Sequence, residues 1–182
     1  AKGLDNIYAM FNLCLSLKAV DLRTFDLSHV TSLQHVLENC DSLKSVNLSG
    51  VDFSSVTDAS NFLSACSNLK SVDLSNTRFD NNESFTEAFC DAPKLKSINL
   101  SGLYAPKANY FMSTFSGDNA LEELNLKGAT FGTVETATCM FLGCNSLKAL
   151  DLSGITSASS THSSIFSGCY VDSYKPMKGY SG

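Results

Sequence analysis

Seven cysteines, three histidines and scattered carboxylates and hydroxyls are the groups of this 182-residue chain that could ligate a metal, form disulfides or attack a substrate. Cys14, Cys40, Cys66, Cys144 and Cys169 fall at one recurring position, which Ala92 occupies once. Zinc needs closely spaced thiolate or imidazole pairs, and the chain has no Cys-x-x-Cys and no histidine cluster. Alanine cannot replace a ligand, so the column reads as a ladder of thiols packed as small hydrophobes. Cys90 and Cys139 lie off the ladder. They leave a Cys66–Cys90 or a Cys139–Cys144 disulfide open, while seven free thiols are the expectation. His29, His35 and His162 stand singly, and the repeated serines have no repeated base beside them, so no nucleophile, base and acid can be assembled. Glu122 and Glu123 adjoin but point to opposite sides of a strand, whereas acid–base catalysis needs convergent carboxylates. The expectations are no enzyme activity, no cofactor and no metal.

These residues sit on a repeat. Phe11, Leu37, Leu63, Phe89, Phe115, Phe141 and Phe166 form one column, with a step of 26 until a last step of 25. Leu17, Leu43, Leu69, Leu95, Leu121 and Leu147 keep the spacing, as do Leu22, Leu48, Leu74, Leu100, Leu126 and Leu152. Such self-similarity is the mark of a stacked array. Within a unit, Ala59, Phe62, Leu63 and Cys66 lie at i, i+3, i+4 and i+7, which predicts a short helix. From Lys70 to Ser75 the pattern alternates, with Val72 and Leu74 on the buried side, which predicts a strand. Ser49-Gly50, Ser75-Asn76, Ser101-Gly102 and Ser153-Gly154 then mark turns. No unit can bury its apolar stripe alone, so the units must stack. The expected fold is α/β: a leucine-rich-repeat solenoid of 26-residue repeats, with a parallel β-sheet on one face and short helices on the other. The expected organisation is a lead-in over 1–6, about six and a half repeats over 7–169, and a C-terminal cap or linker start over 170–182, where Tyr170, Tyr174, Pro176, Met177 and Tyr180 abandon the period.

Composition narrows the function. With 13 basic and 18 acidic residues the net charge is −5, which argues against a dedicated nucleic-acid binder. No apolar run reaches the length of about 18 residues that a membrane span needs, so no membrane insertion of this segment is expected. A hydrophobic content of 43% excludes wholesale disorder. The chain begins at Ala1 and Ile7 opens a half unit, from which a monomeric module of a longer protein is expected.

Met140-Phe141-Leu142-Gly143-Cys144-Asn145-Ser146-Leu147-Lys148-Ala149-Leu150-Asp151-Leu152-Ser153, together with Val30-Thr31 and Val56-Thr57, resembles the BspA-like leucine-rich repeat surface proteins. The likeness runs from Ile7 to Cys169, with units slightly longer than that family's. It implies a cell-surface or secreted protein of bacteria or some protists, used in adhesion and without enzyme activity. It supplies no ligand identity.

The outward side of the strands is the candidate binding face: Lys44, Asn47, Ser49, Lys70, Asp73, Ser75, Lys96, Asn99, Ser101, Glu122 and Asn125. One reading is a solubilising face whose lysine and acid columns blunt strand pairing. The other is a hydrogen-bonding surface for an extracellular protein or glycan, as solenoids use. It lacks the aromatic and arginine anchors of a tight interface, so weak, multivalent contact is expected. Glycans on the Asn47-Leu48-Ser49 or Asn99-Leu100-Ser101 sequons would crowd this face, which favours a bacterial origin. One tier departs from its columns at Thr114, Asp118, Glu122 and Lys127.

Overall fold

The computed structural model describes residues 4–158 and 164–179. It is a parallel β-solenoid of about five turns with almost no helix. Its strands are β1 (Ser45–Asn47), β2 (Ser71–Asp73), β3 (Ser97–Asn99), β4 (Tyr104–Ala105), β5 (Glu123–Asn125), β6 (Thr130–Phe131), β7 (Ala149–Asp151) and β8 (Ser173–Lys175). One parallel sheet runs β1-β2-β3-β5, and β4-β6 and β7-β8 form two-stranded sheets. The register of the first sheet follows the sequence repeat, with Val46 opposite Val72, Val72 opposite Ile98, and Ile98 opposite Leu124. A single short 3₁₀ turn at Leu22–Thr24 is the only helix among the described residues.

The short helices expected from the i, i+3, i+4, i+7 spacing are therefore replaced by something else. Leu33, Val36, Leu37 and Cys40 are all buried, so the spacing does mark an inward stripe. The hydrogen bonding differs. The Leu33, His35, Leu37 and Asn39 N–H groups donate to the Asp58, Ser60, Phe62 and Ser64 carbonyls of the next tier, at 2.9 to 3.4 Å. The alternate Val36 and Glu38 N–H groups turn back to Leu33 and His35, at 3.2 and 3.4 Å. This alternation places His35 and Asn39 in the left-handed region, at φ 58° and 56°. An α-helix would direct its N–H groups along its own axis and leave stacked tiers without a backbone ladder on that side. The turn ladder satisfies them between tiers instead.

The turns after the strands have a repeated cause. Asn47, Asp73, Asn99, Asn125 and Asp151 each accept, through Oδ1, the N–H two residues on, at 2.9 to 3.2 Å. Gly50, Asn76, Gly102 and Gly128 follow with positive φ. A second set of turns bends the chain at Asp52, and a third at Ser32, Asp58 and Ser84. Isolated bridges Ser32–Asp58–Ser84–Tyr110–Thr136 stack that third corner tier on tier. Inside, Phe89, Phe115, Phe141 and Phe166 stack face to face at 5.6, 5.3 and 5.7 Å.

The sheet is interrupted once. β7 pairs with β8 and not with β5, and the Cα atoms of β5 and β7 lie mostly more than 8 Å apart, against about 4.8 Å for paired strands. On the other sides the same two tiers stay joined: Gly117 N–H donates to Leu142, and Val134 N–H donates to Thr156. Val134 is bridged to Ser157, three positions short of the repeat that the bridges of the tiers below keep. The shortened tier cuts the corner that Phe131 occupies. Along the sheet it stands off from β5. Residues 172–178 extend the stack, with β8 on β7 and Lys178 bridged to Thr156.

Candidate functional site

The parallel register brings the predicted face together on one side of β1, β2, β3 and β5. Lys44, Lys70 and Lys96 are exposed at the strand starts, and Asn47 and Asn125 are exposed at the strand ends. Asp73 and Asn99 are half-buried between them. The amides form a ladder along the stack, Asn125 Nδ2 donating to Asn99 Oδ1 at 3.1 Å and Asn99 Nδ2 to Asp73 Oδ1 at 3.2 Å. Since each Oδ1 also accepts the N–H two residues on, this column is built into the turns. Ser75 is buried, with its hydroxyl 2.8 Å from that of Ser49, and Ser101 Oγ donates to Asn99 Oδ1 at 2.8 Å. The serine and asparagine columns therefore shape the backbone. Of the predicted residues, Lys44 and Lys70 are the ones whose side chains have no partner among the described residues.

Glu122 joins two lysines across three tiers, with Lys96 Nζ at 3.3 Å and Lys148 Nζ at 3.1 Å. Hydrogen bonds from Lys148 and then Lys96 hold its carboxyl below the ordinary range. The Lys148 contact bridges the opening between β5 and β7. That opening has a volume of about 430 Å³ and is lined by Leu124, Leu126, Phe131 and Ile155 inside, with Asn125 and Asp151 among its outer groups.

The other departures of this tier resolve individually. Thr114 is buried and its hydroxyl donates to the Phe85 carbonyl at 3.0 Å. Asp118 is fully buried in the thiol column. Its Oδ1 accepts the Ala92 N–H at 2.9 Å, and Oδ2 has no partner among the described residues. Burial pushes its carboxyl well above the usual range, against the smaller pull of the Ala92 N–H. The cysteine-to-aspartate change is legible in the sequence, but its burial is not.

The seven cysteines are all free thiols. Three of the ladder cysteines tie tiers together: Cys40, Cys66 and Cys144 donate to the Phe11, Leu37 and Phe115 carbonyls one tier below, at 3.0 to 3.2 Å. Burial pushes the Cys40 and Cys66 thiols up to about 11 and about 12, which leaves them protonated and poor nucleophiles at neutral pH. Among the described residues, no group of three or more His, Cys, Asp and Glu could hold a metal ion. No helix of the described residues is long and apolar enough to cross a membrane. A second cavity of about 20 Å³ lies in the core among Phe85, Phe89, Phe111, Phe115 and Met140. Its lining is apolar, so it is expected to stay dry.

No curated protein and no solved structure matches the chain. Residues 5–122 match the family described as "Mycoplasma protein of unknown function, DUF285", a span that holds β1 to β4 and ends where β5 begins. Since this covers well over half of the sequence, the chain belongs to the DUF285 family.

Proposed function

We propose that the chain is a noncatalytic surface module that contacts extracellular proteins or glycans through the outward side of β1, β2, β3 and β5. The observation that carries this reading is the alignment of exposed Lys44, Lys70 and Lys96 at one position of successive tiers, two of them without partners among the described residues. A ligand with regularly spaced acceptors meets such a column several times, and weak contacts then add through effective concentration. The resemblance to BspA-like leucine-rich repeat surface proteins supports placement at the cell surface or in secretion, with a role in adhesion. A spacer displaying another domain is the second reading. It is favoured by the commitment of the Asn, Asp and Ser columns to turns, which leaves few free groups on the face.

The test is a binding screen of the immobilised chain against extracellular-matrix proteins and a glycan array, beside Lys44→Glu/Lys70→Glu. These positions are chosen because alanine at Asn47, Asp73 or Asn99 would remove turn hydrogen bonds and confuse binding with folding. Binding lost in the double variant supports the adhesive face. Binding retained moves the contact elsewhere, and no binding by either chain favours the spacer.

A further inference from the structure

We propose that the opening between β5 and β7 is an acceptor site for an extended peptide segment of a partner, which inserts as a strand parallel to both. The backbone carries this inference. In the tier below, Leu100 and Gly102 donate their N–H groups to the Asn125 and Lys127 carbonyls, at 2.8 and 2.9 Å. Leu126 and Gly128 occupy the same positions one tier up, and their N–H groups have no partner among the described residues. The Asp151 and Ser153 carbonyls that the repeat would set opposite them are lifted away with β7. Two parallel edges thus face each other across a separation greater than one sheet spacing. A strand seated midway would need about 9.6 Å between them, twice the spacing of about 4.8 Å.

The side chains specify the occupant further. Val46, Val72 and Ile98 are buried at the sheet's inward position, and so is Leu150 above the opening. Leu124, Leu126 and Phe131 are only partly buried, which gives the opening an apolar floor. An inserted strand therefore presents an apolar side chain inward and polar ones outward, the alternation of a half-buried strand. Outside, the neighbours are Glu123, Asn125 and Asp151; Glu123 has no ion pair among the described residues. Small hydrogen-bonding residues such as the Ser45 and Asn47 that hold these outward positions in β1 complement them. The site is continuous with the β1-β2-β3-β5 sheet, so the partner adds a strand to an existing ladder, the established mode of β-augmentation. It shares Asn125 with the predicted face but not the lysine column Lys44, Lys70 and Lys96, and neither proposal depends on the other.

The probe is the blocked hexapeptide acetyl-Lys-Ser-Val-Asn-Leu-Ser-amide, the sequence of residues 44–49, which already pairs in parallel within this sheet. It is titrated into the isotopically labelled chain, following amide shifts and hydrogen exchange. Gly154 lines the opening, and a Cβ added there would meet nothing within 4 Å, so Gly154→Trp is the variant chosen to block the site. The expected result is saturable binding, with slowed exchange at Leu126 and Gly128. Gly154→Trp with an unchanged melting curve should weaken it by at least about tenfold. Methylating the peptide's Val and Leu nitrogens should do the same, and Lys44→Glu/Lys70→Glu should leave it intact. Absence of saturable binding, binding that survives Gly154→Trp, or equal binding of the methylated peptide would each overturn the proposal.

Discussion

The junction between β3 and β5 and the junction between β5 and β7 carry the same sequence period and have different structures. Across both, the Leu95, Leu121 and Leu147 column and the Ile98, Leu124 and Leu150 column advance by one full repeat without a fault. The first junction is closed by strand pairing and buries Ile98 completely, whereas the second is open and leaves Leu124 partly exposed. The two junctions also differ at another corner, where the β7 tier has three fewer residues between Ile155 and Ser157 than the tier below has between Ala129 and Val134. The phenylalanine stack runs through both junctions unbroken, so the tiers stay joined there while the sheet edge is open.

The largest expected effect separates these two environments. Phe89 is buried and stacked on Phe115, so Phe89→Ala should cost about 3 to 5 kcal/mol in chemical denaturation. Phe131 borders the opening and is only partly buried, with an edge contact to Phe111, and Phe131→Ala should cost about 1 to 2 kcal/mol. Equal losses would mean that the opening is closed in solution.

Asp118 tests the same junction electrostatically. Its folded pKa lies above its unfolded value, so the folded chain retains a proton that the unfolded chain gives up. Stability should then fall as pH rises from the ordinary carboxylate range toward the folded value. Asp118→Asn should raise Tm at neutral pH and flatten that slope; a lowered Tm with the slope intact contradicts a buried carboxyl whose pKa is raised by burial.

A smaller effect is expected from the turn ladder. Asn99→Ala removes an acceptor for Ser101 N–H and a donor to Asp73, and should lower stability by about 1 kcal/mol. Asn125→Ala, with no strand above it, should cost less. Thiol labelling should leave stability untouched and report burial alone. At neutral pH a thiol reagent should modify half-buried Cys14, Cys139 and Cys169 and spare Cys40, Cys66, Cys90 and Cys144 until the chain unfolds. Rapid labelling of Cys66 in the folded protein would contradict the ladder.

The stack, its register and most of its core were legible because each depends on columns of like residues. Val46, Val72 and Ile98 announce a strand wherever they recur. The turn segment was not legible as such, since an inward stripe at i, i+3, i+4 and i+7 is common to a helix and to a ladder of turns. What separates them is where the N–H groups go, and side chains do not encode that directly. His35, Asn61, Glu87 and Ser113 at one left-handed position give no glycine signal; Gly117, Gly143 and Gly168 in the next such column hint at it. The members of the candidate face do share one side of the sheet, but their Asn and Asp column has a local use, accepting the N–H two residues on, that competes with ligand binding. The opening between β5 and β7 was not legible, because the columns of its strands keep their spacing through it.

Amide hydrogen exchange compares the two junctions most directly. Leu100 and Gly102 donate across a closed junction and should exchange slowly, close to the rate set by global unfolding. Leu126 and Gly128, at the same repeat position one tier higher, should exchange at near-unprotected rates, while Phe115 and Gly117, which donate across that same junction to Met140 and Leu142, stay protected. Equal protection at Leu100 and Leu126 would contradict the open junction and the account built on it.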